Sequence, residues 1–307
     1  MAPTFKIALI QFQAKSLSLE ENFAKAAAEI RLAASQGSQL TVLPEYHLTS
    51  WVPEHPDFIA SCAESVAYLP RYQALARELN IHIVPGTIVE PVEPIMSTAP
   101  GMSHNDETEA SRPLVTELRN MAYFIAASTG DILSTYQKKN LWYLERGILT
   151  AGRNSPHKAF DVPLSGSGMI RVGMLICWDL AFPEAFRELV ADGAQLIVIP
   201  AYWCLTKINP KILALNLKSE VAFLDSVTVA RAYENTCAVA FCNAFGESQV
   251  AMPILGTLGK LGIEKDDMII SEVDIDVLRV AEEHYKVRTD LQDEGWHYSR
   301  CVTQTLK

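Results

Sequence analysis

Nowhere in this sequence do about 18 apolar residues run together, the length that a membrane-crossing helix requires. The opening stretch MAPTFKIALIQF has neither the longer apolar core nor the small-residue cleavage site of a secretory signal, and it reads as a first strand. A cytoplasmic chain with no membrane partner is expected. Basic charge is scarce as well: 26 Lys and Arg against 36 Asp and Glu leave a net charge of −10. There is no electropositive footprint to neutralise phosphates, so no nucleic-acid partner is expected. The six cysteines, Cys62, Cys177, Cys204, Cys237, Cys242 and Cys301, form no C-x-x-C pair, and the seven histidines form no H-x-H or H-E-x-x-H arrangement. A metal site is therefore not expected, and the thiols are expected to be reduced. The glycines of PLSGSG (163–168) do not continue into a G-x-G-x-x-G, and no repeat of 20–50 residues is visible. No cofactor is implied.

What is present is an apolar fraction of 49% in 307 residues, enough for one large sheet-based domain over 1–307. Strand and helix patterns alternate. KIALIQF (6–12), QLTVLPE (39–45), IHIVPGTIVEP (81–91), MIRVGMLICWD (169–179), QLIVIPAYW (195–203) and CAVAFCNAFGE (237–247) read as strands. Residues 18–37 read as a helix opened by a Ser18/Glu21 capping box and closed at Gly37. Residues 57–79 are helical with a break near Pro70, and further helices cover 183–194 and 219–236. A hairpin turns at Thr129–Gly130–Asp131, and 267–284 gives a strand and a short helix. Polar composition marks 91–118 as a surface insertion, 151–168 as a loop and 285–307 as an irregular tail. The strand–helix alternation specifies an α/β fold of stacked layers.

Three strand patterns end on residues that carry chemistry. Glu45 follows LTVLP, Lys138 follows ILSTYQ and Cys177 follows VGMLI. Polar residues at the C-terminal ends of strands converge where α/β folds bind ligands. A thiol, a carboxylate and an ammonium meeting there supply a nucleophile, a proton shuttle and a stabiliser of developing negative charge. Taken singly, each has a plainer reading: Cys177 a core thiol, Glu45 a solvated strand end, Lys138 a surface charge beside Lys139. Period-two alternation puts Tyr136 and Lys138 on one face and favours Lys138 over Lys139.

The segments LPEYHLTSW, YQKKNLWYLERG and GMLICWDLAFPEAFREL together resemble the catalytic segments of the nitrilase superfamily, the carbon–nitrogen hydrolases, and the resemblance extends over roughly 5–290. It implies a four-layer αββα sandwich of two mixed β-sheets flanked by helices. It also implies Glu45 as general base, Lys138 and Cys177 completing the triad, Glu145 as a second glutamate orienting the site, and the Trp178 backbone N–H joining Lys138 around an oxyanion. Gln137 stands where the family commonly has Arg, and Asn140 where it has His.

The aromatic residues near these motifs, Tyr46, Trp51, Trp142, Trp178, Tyr202 and Trp203, are candidates for the substrate pocket, each with core packing as the alternative. His47 and Cys204 are read as bystanders near it. Cys-Trp-Asp at the nucleophile is closer to amide-hydrolysing branches, whereas Glu145 followed by Arg146 is similar to nitrilases. N-carbamoyl amino acid hydrolases carry arginines just behind the nucleophile, where this chain has Leu180 and Ala181. The expectation is hydrolysis of a small amide to acid and ammonia through a cysteine thioester, with a nitrile as the alternative substrate. An idle scaffold of the same fold is the non-enzyme alternative. The family resemblance further implies at least a homodimer, through helices 183–194 and 219–236 and the tail, with Phe186, Leu189, Phe223 and Leu224 as contact candidates.

Overall fold

A computed structural model of the chain describes residues 4–92, 117–154, 156–164, 168–206, 208–263 and 265–293. In chain order the first half comprises β1 (Thr4–Gln11), α1 (Leu19–Ser35), β2 (Leu40–Val42), α2 (Phe58–Ser65), α3 (Leu69–Leu79), β3 (His82–Val84), β4 (Thr87–Val92), β5 (Glu117–Ile125) and β6 (Ile132–Gln137). The second half comprises β7 (Phe160–Pro163), β8 (Met169–Met174), α4 (Pro183–Ala191), β9 (Leu196–Ala201), α5 (Pro210–Leu215), α6 (Ser219–Glu234), β10 (Ala238–Asn243), β11 (Gln249–Met252), β12 (Gly256–Lys260), β13 (Asp267–Asp274), α7 (Ile275–Tyr285) and α8 (Val287–Gln292).

Two mixed sheets result. One runs β13-β1-β2-β3-β5-β4 with β6 paired to β5; the other runs β12-β11-β10-β9-β8-β7. Their central strands are parallel, β1–β2–β3 in the first and β8–β9–β10 in the second, with antiparallel strands at the flanks. Strand β1 shows why the layers stack. Ile7 and Leu9 point into the core between the sheets, while Ile10 packs on the opposite face against Phe23 and Ile30 of α1 and Tyr72 and Leu75 of α3. A one-residue slip would exchange those faces, and each misplaced Ile or Leu would forgo roughly 1.5–3 kcal/mol of burial. Phe186 and Leu189 of α4 and Leu224 of α6 close the far side over Ile197 and Val239. The architecture is the four-layer αββα sandwich.

Several local expectations change. No capping box opens α1, because Ser18 makes no side-chain cap bond; instead the Asn22 side chain accepts from the Lys15 N–H and donates to the Lys15 and Leu48 carbonyls. The strand expected over 81–91 is two strands, β3 and β4, separated at Pro85–Gly86. The helical break near Pro70 falls earlier, at a 3₁₀ turn over Val66–Tyr68, and Pro70 opens α3, where a missing N–H costs nothing. The 151–168 loop contains the edge strand β7, and the tail begins with α8. Strands β11 and β12 and helix α5 fall in stretches left unassigned. The strand expected to reach Asp179 ends at Met174, and Cys177–Ala181 is a 3₁₀ turn. Most of the 91–118 insertion and the tail beyond 293 lie outside the described residues. Among the described residues no helix is long and apolar enough to cross a membrane.

Candidate active site

Glu45 lies just beyond β2. Its loop presses against the Pro85–Gly86 turn, where Gly86 has φ +58° and a Cβ would sit 1.9 Å from the Pro44 carbonyl oxygen. Only glycine permits both that conformation and that approach. Lys138 follows β6 directly; its N–H donates to the Asn120 carbonyl at 3.0 Å, and its carbonyl accepts from Gly152 at 2.9 Å. Cys177 begins the 3₁₀ turn after β8 in a left-handed conformation, φ +45°. Such a backbone costs on the order of 1–3 kcal/mol in a non-glycine residue and persists only where its surroundings impose it.

Here Asp179 imposes it. This fully buried carboxylate accepts the Ile176 N–H at 2.9 Å, the Tyr136 hydroxyl at 2.8 Å, and both the backbone N–H (2.9 Å) and side-chain amide (2.8 Å) of Asn140. Burial pushes the acid above its usual range, and these donors pull it back. Asp179 thus ties the cysteine turn to the lysine segment and accounts for Asn140, whose amide donates across to the other sheet.

Lys138 and Glu45, each 1% exposed, form a buried ion pair: Nζ donates to Glu45 Oε1 at 2.8 Å and to Glu145 Oε1 at 2.6 Å. Asn120 donates to Glu45 Oε1 at 2.8 Å, and the Tyr202 N–H donates to Glu45 Oε2 at 2.9 Å. Glu145 is fixed by the Tyr46 hydroxyl and by the Trp142 N–H at 2.8 Å. The Cys177 thiol and the Glu45 carboxylate line the same pocket and act on each other electrostatically. Desolvation by burial pushes that thiol well above its ordinary pKa; Glu45 adds to the rise and Lys138 opposes it. Burial also raises Glu45, against the pull of Lys138. Burial works to lower Lys138, but Glu45, Cys177 and Glu145 outweigh it and hold the amine above its usual value. Three donors, Lys138, Asn120 and the Tyr202 N–H, converge on the Glu45 carboxylate and favour its ionised form.

These groups open into a pocket of about 420 Å³ lined by Glu45, Glu145 and Cys177. All six aromatic candidates, Tyr46, Trp51, Trp142, Trp178, Tyr202 and Trp203, line it too. Cys204 also lines it, whereas His47 does not: its Nε2 meets the Tyr72 hydroxyl at 2.8 Å in the α3 layer. Lys139 is half-buried and makes none of the carboxylate bonds. Among the contact candidates, Phe186, Leu189 and Leu224 belong to the intrachain core, and only Phe223 is substantially exposed. Sequence reasoning missed Asn120 and Asp179. The available signal was a polar residue on an inward position of an apolar strand in one case, and a carboxylate two places past the nucleophile candidate in the other. Among the described residues no group of His, Cys, Asp and Glu side chains is placed to hold a metal ion.

Comparison with known proteins identifies relatives of the chain. The carbon–nitrogen hydrolase family model matches residues 6–283. An omega-amidase of Bos taurus is 27% identical over 293 residues, covering 91% of each chain, and a nitrilase of Pyrococcus abyssi is 24% identical over 277 residues, covering 89% of this chain and 91% of that one. The crystal structure of an amidase from Nesterenkonia sp. superposes with a TM-score of 0.67 at 25% identity, over 92% of this chain and 95% of that one. In a variant of that amidase acrylamide has added, by Michael addition, to the active-site cysteine.

Proposed function

The chain belongs to the carbon–nitrogen hydrolase family, and from that premise we propose that it hydrolyses a small amide to acid and ammonia through a thioester on Cys177. The observation that carries this reading is a thiol facing the same aromatic pocket as a buried carboxylate that is itself paired to a buried ammonium.

The chemistry follows from those positions. As the sulfur attacks the amide carbon, the thiol proton passes to Glu45, which relieves the cost of carrying a thiolate in a site that disfavours one. Lys138 and the Trp178 backbone N–H donate to the oxygen that becomes negative. Glu45 returns the proton to the nitrogen as the C–N bond breaks, and ammonia leaves. Water then attacks the thioester and gives its proton to Glu45; collapse releases the acid and restores the thiol. Glu145, held by Tyr46 and the Trp142 N–H, fixes the ammonium from its far side.

A nitrile is the second reading, supported by the likeness to a nitrilase and by the same donor set. An N-carbamoyl amino acid has less support: Leu180 is buried in the core, and among the described residues lining the pocket there is no arginine. An ammonia-release screen over matched amides, nitriles and carbamoyl amino acids tests the reading. Amides are expected to react fastest, and faster release from nitriles overturns the amide preference. The protein is expected to be at least a homodimer; a sedimentation profile showing only the 34.0 kDa chain at micromolar concentration would contradict this.

A further inference from the structure

The pocket has a second end. Glu220, in the first turn of α6, lines the same cavity as Cys177, together with Ile212 of α5. Its Oε2 accepts the Trp203 indole N–H at 2.7 Å, and among the described residues its Oε1 has only a long 3.5 Å contact from the Ser219 hydroxyl. Trp203 continues into an indole wall, with ring centroids 5.2 Å from Trp178 and 6.5 Å from Trp142, while Trp142 and Trp178 meet edge-on at 4.4 Å. Trp142 is 37% exposed, so this wall is reachable from solvent. The charges are lopsided. Glu45, Glu145 and Glu220 face the cavity, and the ammonium of Lys138 is bonded to the first two. Among the described lining residues there is no arginine and no lysine.

A low-dielectric cleft with an excess of one sign concentrates the opposite sign and repels its own. Indole faces attract cations through their negative quadrupole, and a carboxylate beside them completes a site for an ammonium. We infer that Glu220 and the Trp142–Trp178–Trp203 wall form a subsite for a positively charged group, so that the preferred substrates are amides bearing an amine at the end remote from the scissile bond. This rests on the amidase reading and adds the substrate class. The hydrogen bond to Trp203 fixes the carboxylate toward the wall, and the catalytic thiol and base take no part in the selection.

The test compares kcat/KM for three amides of matched length: caproamide, ε-aminocaproamide and adipamic acid. The unaltered protein is expected to prefer the amine over the neutral amide and to discriminate most strongly against the carboxylate. Glu220→Gln, nearly isosteric, is expected to lower the amine-to-neutral ratio by about tenfold, mainly through KM. Glu220→Lys is expected to invert the order in favour of adipamic acid. An unchanged ratio in both variants, or a carboxylate preference in the unaltered protein, overturns the subsite. A second readout does not require turnover. Hexyltrimethylammonium is expected to quench tryptophan fluorescence saturably in the unaltered protein and about tenfold more weakly in Glu220→Gln. Saturable, Glu220-dependent quenching with no amide cleaved would sink the amidase reading and leave the cation subsite standing; turnover with no such quenching would do the reverse.

Discussion

Cys177 and Cys242 both sit at the end of an apolar run, one after GMLI and the other after AVAF, and both are buried. Burial pushes both thiols above their ordinary pKa. Their surroundings differ in every other respect. Cys242 lies within β10, 0% exposed, and its sulfur donates to the Val42 and Ile10 carbonyls at 3.1 and 3.4 Å. Cys177 lies past the end of β8, 7% exposed, in a left-handed turn, facing a carboxylate and a cavity. Desolvation alone makes a thiol inert; what distinguishes the reactive candidate is a fixed proton acceptor and an open side from which substrate arrives.

The sharpest way to break this contrast is to replace each sulfur. Cys177→Ser is expected to reduce ammonia release by on the order of 10⁴-fold or more while the protein stays folded. A variant with near-normal turnover would remove Cys177 as nucleophile. Next is the acceptor. Glu45→Gln preserves the shape of the side chain but removes the base, and both turnover and the rate of Cys177 alkylation by iodoacetamide are expected to fall by about 10²–10⁴-fold. Alkylation as fast as in the unaltered protein would show that the thiol does not depend on Glu45. Gly86→Ala forces a Cβ into the Pro44 carbonyl and is expected to cost about 2 kcal/mol or more in urea unfolding, with turnover falling as Glu45 is displaced. Cys242→Ala is expected to cost about 1–2 kcal/mol and to leave the rate per folded molecule as it was.

The smallest effect is on pH. Burial pushes His47 down to about 3 from 6.5. Above pH 6.5 it is neutral in both folded and unfolded chains, so the stability that its neutral form confers is fully present there. As the pH falls below 6.5 the unfolded chain takes up a proton that the native chain refuses, and stability is lost down to about pH 3. His47→Gln is expected to reduce that slope by about one proton, read from urea midpoints across the range. An unaltered slope would show that other groups govern it.

Much of this was legible in the sequence where chemistry and periodicity agree. Alternation in β1 and continuous apolar runs such as LIVIPA in β9 fix layers, since few other placements bury both faces of a strand. Glu45 and Cys177 could be picked out because each ends such a run, and Lys138 because it follows a strand pattern directly. Asn120 could not, because a polar residue inside a strand takes its meaning from what a distant strand end of the same sheet places beside it, here Glu45 75 positions away. Asp179 was likewise silent until the lysine segment came within reach across 39 positions. The Pro85–Gly86 break was misread because its cause is the loop of Glu45 pressing on it, a long-range contact. The Ser18 cap was misread because Asn22, a few residues on, took the bonds instead.

The site is divided between two sheets. Glu45, Asn120 and Lys138 hang from one; Cys177, Asp179 and Tyr202 hang from the other. The gap between sulfur and its acceptor is therefore set by how thick the filling between the sheets is, far from any reacting atom. Adding or removing one methylene on Leu9 or Val198 would move two halves of an instrument relative to each other, so the volume of the hydrocarbon interior acts as a focusing screw for the chemistry at its rim.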